Sequence, residues 1–290
     1  MRLLSLALVP AFLLLPIAAH AAPAPVRVLT TISTFNSFVR AVGGSHVIVD
    51  SLVPIGASPE DFQSTPDSIR RLHDADILFE NGAGLELWLA RTVENAANPH
   101  LRIVIGTHGI PLVDGNPHAW MDPVLAQRYV AAIRDALIAA DPRDRKEFVS
   151  NAAAYDRRLE GLRREISSQI ATIPRESRNM IVFHNAWQYY GDRFGVRIIG
   201  AIELAPGQEP NPQRIGELID MANRMHVRAI FGEPEYSPKL AQTLADSAGI
   251  RTVVNLYDDS IGGNAQVSDY FSMLRYDTAT IVEALGGTLR

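Results

Sequence analysis

The stretch DPRDRKEFVSNAAAYDRRLEGLRREISSQIATI, residues 141–173, divides the chain into two halves. It is dense in arginine and glutamate, contains a single glycine, Gly161, and keeps apolar residues at spacings of three, four and seven. The apolar positions are Phe148, Tyr155, Leu159, Leu162, Ile166 and Ile170. This periodicity predicts one long amphipathic helix, which at about thirty residues would extend roughly 45 Å. We predict that this helix joins two lobes.

Short β-rich runs alternate with amphipathic segments on both sides of that helix. The predicted strands are residues 26–32, 47–53, 75–80, 101–105, 180–183, 196–201, 229–232 and 252–256. Such alternation predicts parallel sheets with helices on both faces. The predicted fold class is therefore α/β: two lobes, each a parallel sheet flanked by helices, joined by one long backbone helix, with a cleft at the carboxyl ends of the strands.

The predicted domain organisation begins with a secretory signal peptide at residues 1–21. A basic Arg2, an apolar run over residues 3–19 and the small-residue site Ala19-His20-Ala21 carry this prediction, with cleavage expected after Ala21. The N-terminal lobe then covers residues 22–140, the connecting helix 141–173 and the C-terminal lobe 174–290. Each lobe has an ordinary domain size.

Composition restricts the partners and the compartment. The net charge of −5 argues against nucleic acid or anionic lipid as a partner. The sequence contains no cysteine, which excludes disulfides, thiolate metal ligands and a lipid-modified N-terminal cysteine. We therefore expect an exported, periplasmic monomer with no membrane anchor.

The best candidate for a functional residue is His118, within the stretch NPHAWMDP at residues 116–123. Its flanking prolines predict a rigid loop that leads into a helix near Pro123, so the imidazole is held in place. The other candidates each follow a predicted strand: Glu60, His184 and Asp259. Two imidazoles and two carboxylates suit a divalent transition metal, provided that folding brings them together.

Each candidate also has a purely structural interpretation. His118 fits a capping or core histidine, and His184 fits the N-terminus of a helix, where the dipole favours the neutral imidazole that a metal also requires. Glu60 lies among ordinary polar loop residues, so a solvated glutamate is an equal alternative. Asp258 and Asp259 fit a turn before two glycines.

Short motifs along nearly the whole mature chain occur in the order of one known family. They are Val42-Gly43-Gly44, residues 49–54, Gly56, Pro59, Pro66-Asp67, Ala75-Asp76, residues 81–86, residues 116–123, residues 183–186 and residues 256–260. With these motifs the chain resembles the cluster A-I solute-binding proteins of ABC importers for zinc and manganese. The resemblance implies a metal site between the lobes, a divalent transition metal as the transported ligand, and an ABC permease and its ATPase as partners.

By motif position, the resemblance implies that His118 and His184 are metal ligands. It also implies Asp259, the acid directly before a serine, with Asp258 as the near alternative. The family usually has Asp-Pro-His where this chain has Ser58-Pro59-Glu60, so Glu60 stands at the place of a histidine. The resulting donor set is harder than one with three imidazoles, which favours Mn²⁺ as cargo, with Zn²⁺ close behind and Fe²⁺ as a further option.

The predicted function is therefore capture of Mn²⁺ or Zn²⁺ in the periplasm for an ABC importer, and not catalysis. One alternative is a metal-dependent enzyme, either a non-haem iron oxygenase or a zinc hydrolase. Another is a family member that has become an adhesin or binds an organic solute, which the unusual Glu60 keeps open. A long connecting helix resists bending, so we expect metal loss to move only the Glu60 and Asp259 loops.

Overall fold

The computed structural model describes residues 24–204, 207–208, 210–253 and 256–289. The predicted signal peptide, residues 1–21, lies outside these residues, as do Val254 and Asn255 of the last predicted strand. In the part of the chain that is described, no helix has both the length and the apolar character needed to cross a membrane.

The first lobe contains a four-stranded parallel sheet in the order β2-β1-β3-β4. Its strands are β1 Val26–Thr30, β2 Val47–Ser51, β3 Ile77–Glu80 and β4 Arg102–Ile105. Its helices are α1 Ser33–Gly43, α2 Pro66–Asp74, α3 Leu89–Ala96 and α4 Pro123–Ala140. Proline occupies the first position of α2 and α4, where the missing N–H costs nothing, and Thr65 and Asp122 cap these helices.

The second lobe repeats this architecture in a parallel sheet of order β6-β5-β7-β8. Its strands are β5 Asn179–Val182, β6 Arg197–Ala201, β7 Ala229–Phe231 and β8 Arg251–Val253. Its helices are α6 Gln188–Phe194, α7 Pro212–Arg224, α8 Pro238–Ala248 and α9 Tyr270–Ala284. The predicted fold class, two α/β lobes with parallel sheets and a long helix, is confirmed. The predicted domain boundaries stay predictions.

The long helix is shorter than predicted. Helix α5 is Arg145–Ile170, and a separate 3₁₀ turn, Pro142–Asp144, precedes it, so the prediction of a single helix over residues 141–173 is wrong at its ends. The Asp141 side chain accepts a hydrogen bond from the Arg143 N–H and starts this turn, and Pro142 cannot continue a preceding helix. All six predicted apolar positions of the helix are buried.

A single hydrophobic core extends through both lobes. It runs from the first sheet across α1, α4, α5 and α9 to one face of the second sheet, while the outer face of each sheet has a smaller core of its own. Arg193 on α6 also donates to both carboxylate oxygens of the buried Asp122 at the start of α4, with the closest pair 2.6 Å apart. These shared contacts fix the two lobes to each other.

The strand order places polar residues of the second lobe side by side. The chain reverses its direction of winding between β1 and β3 in the first sheet and between β5 and β7 in the second. Ligands bind at such points, beyond the carboxyl ends of the strands. His184 follows β5 by two residues, and Glu233 follows the adjacent β7 by two. Glu203 occupies the equivalent place after β6.

Candidate metal site

His118 is buried and fixed by a neighbouring asparagine. The backbone N–H of His118 donates to Asn116 Oδ1 at 2.9 Å, and the ring Nδ1 of His118 lies 3.0 Å from the same oxygen. Asn116 Nδ2 donates to the carbonyl of Asn185 at 2.6 Å, which fixes the amide orientation. Because Oδ1 can only accept, Nδ1 carries the proton and Nε2 is left as a free donor atom for a metal.

His184 is held by an acid from the adjacent strand. Its Nδ1 lies 2.5 Å from Glu233 Oε2, and the indole Nε1 of Trp187 donates to the other Glu233 oxygen at 3.2 Å. His184 Nε2 consequently points toward His118, with 3.3 Å between the two Nε2 atoms. A carboxylate that accepts from one ring nitrogen orients the other toward a metal.

The third part of the site is a bend at residues 257–261. Asp258 and Asp259 are 0% and 1% exposed. The Asp258 carbonyl accepts from Thr34 Oγ1 at 3.1 Å and from Trp120 Nε1 at 3.0 Å, two residues of the first lobe. Ser33 Oγ accepts from the N–H of the last residue of the bend at 2.8 Å. The bend is therefore attached to the first lobe, although it follows a strand of the second.

One donor atom from each of four residues, His118, His184, Asp258 and Asp259, lies within 4.8 Å of the other three. All four carboxylate oxygens of the two aspartates are buried and lack a hydrogen-bond donor among the described residues. Asp258 Oδ2 lies 3.3 Å from His184 Nε2 without forming a hydrogen bond. A bare carboxylate is costly to bury, and a cation bound between these donor atoms would offset that cost.

The ionisation of the site reflects the same crowding. Burial, reinforced by the charge of His184, holds the pKa of His118 well below its usual range. Burial also lowers the pKa of His184, but the surrounding carboxylates outweigh it, and the net result is a pKa well above the ordinary value. Burial raises the pKa of Asp258 and Asp259 well above the usual range. A bound cation replaces protons in such a site.

Glu60 faces the same place without belonging to the tight group. It lines a cavity of about 180 Å³ together with His118, His184 and Glu203, and is half-buried. Burial raises the pKa of Glu60, and the charge of His184 partly offsets this effect. Of the four predicted ligands, the structure brings His118, His184 and Asp259 together, and leaves Glu60 on the wall of the cavity.

Two acidic residues near the site have roles that the sequence left unassigned. Glu233 follows a predicted strand on the cleft side, where its sequence position fits a residue that supports a ligand, a hinge residue or a loop residue, and it contacts His184 directly. Glu203, which sequence reasoning did not single out, lines the same cavity as His184. The sequence feature that could have indicated both residues is their position, since each follows a strand of the second sheet by two residues, as His184 does.

Comparison with known proteins identifies the family of this chain. The family model described as ZnuA, zinc-uptake complex component A, periplasmic, matches residues 28–284. The chain belongs to the ZnuA family. The description of the family is that of a periplasmic uptake component, which places its members outside the cytoplasm and among transport proteins, not enzymes.

Relatives of this ZnuA-family chain differ in the metal that their names state. The manganese-binding lipoprotein MntA of Halalkalibacterium halodurans is 30% identical over 264 residues, 89% of this chain and 88% of that protein. The iron-binding protein YfeA of Yersinia pestis is 28% identical, with 90% of this chain and 86% of that protein covered. A crystal structure of ZnuA superposes with a TM-score of 0.80 at 27% identity, covering 91% of this chain and 99% of the other.

Proposed function

We propose that this protein captures a divalent transition metal ion in the periplasm, as a monomer, and delivers it to the permease and ATPase of an ABC importer. The observation that carries the proposal is the burial of four bare carboxylate oxygens beside two histidine Nε2 atoms. In this proposal the ion binds to His118, His184 and Asp259, and Glu60 joins from the cavity wall. Membership of the ZnuA family supports the transport role.

We propose Mn²⁺ as the physiological cargo, with Fe²⁺ and Zn²⁺ as competitors. The site offers two imidazoles, and its remaining donors are carboxylates, which suit Mn²⁺ and Fe²⁺ better than a site with three imidazoles does. Intrinsic affinity nevertheless rises from Mn²⁺ to Zn²⁺ in nearly any such site. Zinc found in a purified sample would therefore not identify the cargo.

The size of the cavity argues against an organic solute as the ligand. Its volume is about 180 Å³, whereas pockets for drug-sized molecules usually occupy about 300–1,000 Å³. Polar residues dominate its lining, with carboxylates from Glu60, Asp114 and Glu203. A small cavity with acidic walls suits a metal ion.

The test is titration of rigorously metal-free protein with Mn²⁺, Fe²⁺ and Zn²⁺ by calorimetry. We expect micromolar or tighter dissociation constants for the wild type, and loss of binding in the double variant His118→Ala/His184→Ala. The matched control is His100→Ala, which removes an exposed imidazole outside the site and should bind as the wild type does. Failure of the wild type to bind any of the three ions at micromolar concentration would contradict the proposal.

A further inference from the structure

Two consecutive side chains, Asp258 and Asp259, each bring a carboxylate oxygen to the same group of donor atoms. In an extended chain, successive side chains point to opposite sides, but the backbone bends at both of these residues. Each contributes a carboxylate oxygen to the group that also contains a ring nitrogen of His118 and one of His184, whose Nε2 atoms face each other. Both carboxylates are buried, and neither receives a hydrogen bond from a described residue.

The spacing of these atoms matches that of ligands around one ion. Donors bound to a tetrahedral metal at about 2.05 Å lie roughly 3.3 Å apart. The two histidine Nε2 atoms are 3.3 Å apart, and His184 Nε2 is 3.3 Å from Asp258 Oδ2. Asp258 therefore stands, relative to His184, where an adjacent ligand would stand.

A simple ion pair with His184 does not explain the position of Asp258. The Asp258 carboxylate approaches His184 Nε2 without hydrogen-bonding to it, and His184 already has Glu233 as a close acidic partner on its other nitrogen. A second buried carboxylate beside the same imidazole adds a desolvation cost with no matching hydrogen bond. A bound cation removes this cost.

We propose that Asp258 is itself a metal ligand, so that both aspartates of the bend bind the ion together with His118 and His184. This inference rests on the proposed function, and it assigns a donor beyond the single aspartate that motif position implies. Glu60, outside the tight group, then completes the site from the cavity wall after the first four donors have bound. The extra carboxylate raises the oxygen content of the site and favours Mn²⁺ or Fe²⁺ relative to Zn²⁺.

The first test compares Asp258→Asn, Asp259→Asn and Glu60→Gln by calorimetric titration of metal-free protein with Mn²⁺. Loss of a second-layer residue around a metal typically weakens affinity 10- to 100-fold, so loss of a ligand should exceed about 100-fold. We expect that loss for both aspartate variants. Glu60 lies outside the tight group, is partly exposed and keeps an oxygen donor in Glu60→Gln, so for that variant we expect a loss within about tenfold. Asparagine and glutamine keep the shape of the acids that they replace, and circular dichroism of each variant checks that it folds.

A second measurement detects ligation directly. The chain contains no cysteine, so Asp258→Cys introduces a single thiol, and a thiolate bound to Co²⁺ gives a charge-transfer band in the near ultraviolet. We expect this band for Asp258→Cys and Asp259→Cys, and none for Asp61→Cys, an exposed position on the Glu60 loop.

The outcomes separate the two claims. If the wild type binds metal while Asp258→Asn loses less than tenfold and Asp258→Cys shows no band, the inference about Asp258 is wrong and the proposed function stands. If the wild type binds no metal at all, the proposed function fails and the inference fails with it.

Discussion

The bend at residues 257–261 and the loop at residues 54–65 both bring carboxylates to the candidate metal site, but the two segments are held to different degrees. The bend receives hydrogen bonds from Thr34 and Trp120, gives one to Ser33, and gives a further one to the buried Asp277 on α9 at 3.0 Å. The loop has no regular structure over most of its length. The loop has fewer attachments than the bend, and its Glu60 is more exposed than Asp258 or Asp259.

Few hydrogen bonds and one ring contact, between Phe62 and Trp88 with centroids 4.7 Å apart, hold the loop on either side of Glu60. Trp88 Nε1 donates to the Pro59 carbonyl at 2.7 Å, and the Gly56 N–H donates to Ser260 Oγ at 3.3 Å. The Glu60 N–H bonds only within the loop, to Ser58 Oγ at 3.2 Å. The site thus combines a fixed half, formed by the histidines and the bend, with an adjustable half formed by the loop.

Among changes that leave the four clustered donor residues in place, the largest expected effect comes from disturbing the fixed half at His184. Glu233→Ala removes the oxygen that lies 2.5 Å from His184 Nδ1 and frees the ring to rotate away from the cavity. We expect Mn²⁺ affinity to fall about 10- to 100-fold, the usual effect of losing the partner of a ligating histidine. Calorimetric titration measures it, and Glu233→Gln, which keeps an acceptor, should recover part of the loss.

Equal Mn²⁺ affinities of Glu233→Ala and the wild type would mean that packing alone orients His184. Trp187, whose indole also bonds to Glu233, would then be the residue to test.

The second-largest effect on Mn²⁺ affinity is expected from removing the hydrogen bonds that hold the bend. Ser33→Ala with Thr34→Val removes hydrogen bonds to the bend, each with a net value of about 1 kcal/mol, and so should lower the free energy of unfolding by about 1–3 kcal/mol. Since the aspartates lose part of their fixed position, we expect up to about tenfold weaker Mn²⁺ binding. Urea unfolding and calorimetry measure the two quantities.

The control for this pair is Thr172→Val. Thr172 also donates its hydroxyl to a backbone carbonyl, that of Gln169 at 2.7 Å, but at the end of α5. Thr172→Val should lower the free energy of unfolding without changing the affinity for Mn²⁺. If releasing the bend left Mn²⁺ affinity at the wild-type value while stability fell, the bend would not need these anchors to present its aspartates.

How far the sequence predicts this molecule depends on how local the determining interaction is. The eight strands follow from apolar runs between turns, and His118 and His184 from their motifs and their places beside predicted elements. The Glu233–His184 contact joins residues 49 positions apart in separate strand–loop units, so no local pattern reveals it. The joint contribution of Asp258 and Asp259 to one group of donor atoms also escapes the sequence, because alternation places neighbouring side chains on opposite sides until a bend is known.

A smaller effect, on selectivity, is expected from the adjustable half. Glu60→His restores the residue type that the family usually has at this place and replaces a hard oxygen with an imidazole nitrogen. We expect Zn²⁺ affinity to rise several-fold relative to Mn²⁺, as measured by competition titration of metal-free protein. Glu60→Gln is the matched control, since it changes the charge without adding a nitrogen ligand. An unchanged Zn²⁺/Mn²⁺ ratio in Glu60→His would place Glu60 outside the coordination sphere.

The smallest expected effect is the structural response to metal removal. The continuous core and the Arg193–Asp122 ion pair hold the lobes together, and the four anchors hold the bend, so motion is left to the loop at residues 54–65. Hydrogen exchange followed by mass spectrometry should show faster exchange in this loop in metal-free protein, with little change in peptides that cover residues 257–261. Faster exchange along α5 and at the Arg193–Asp122 contact would instead indicate that the lobes separate, and the division into a fixed and an adjustable half would then be wrong.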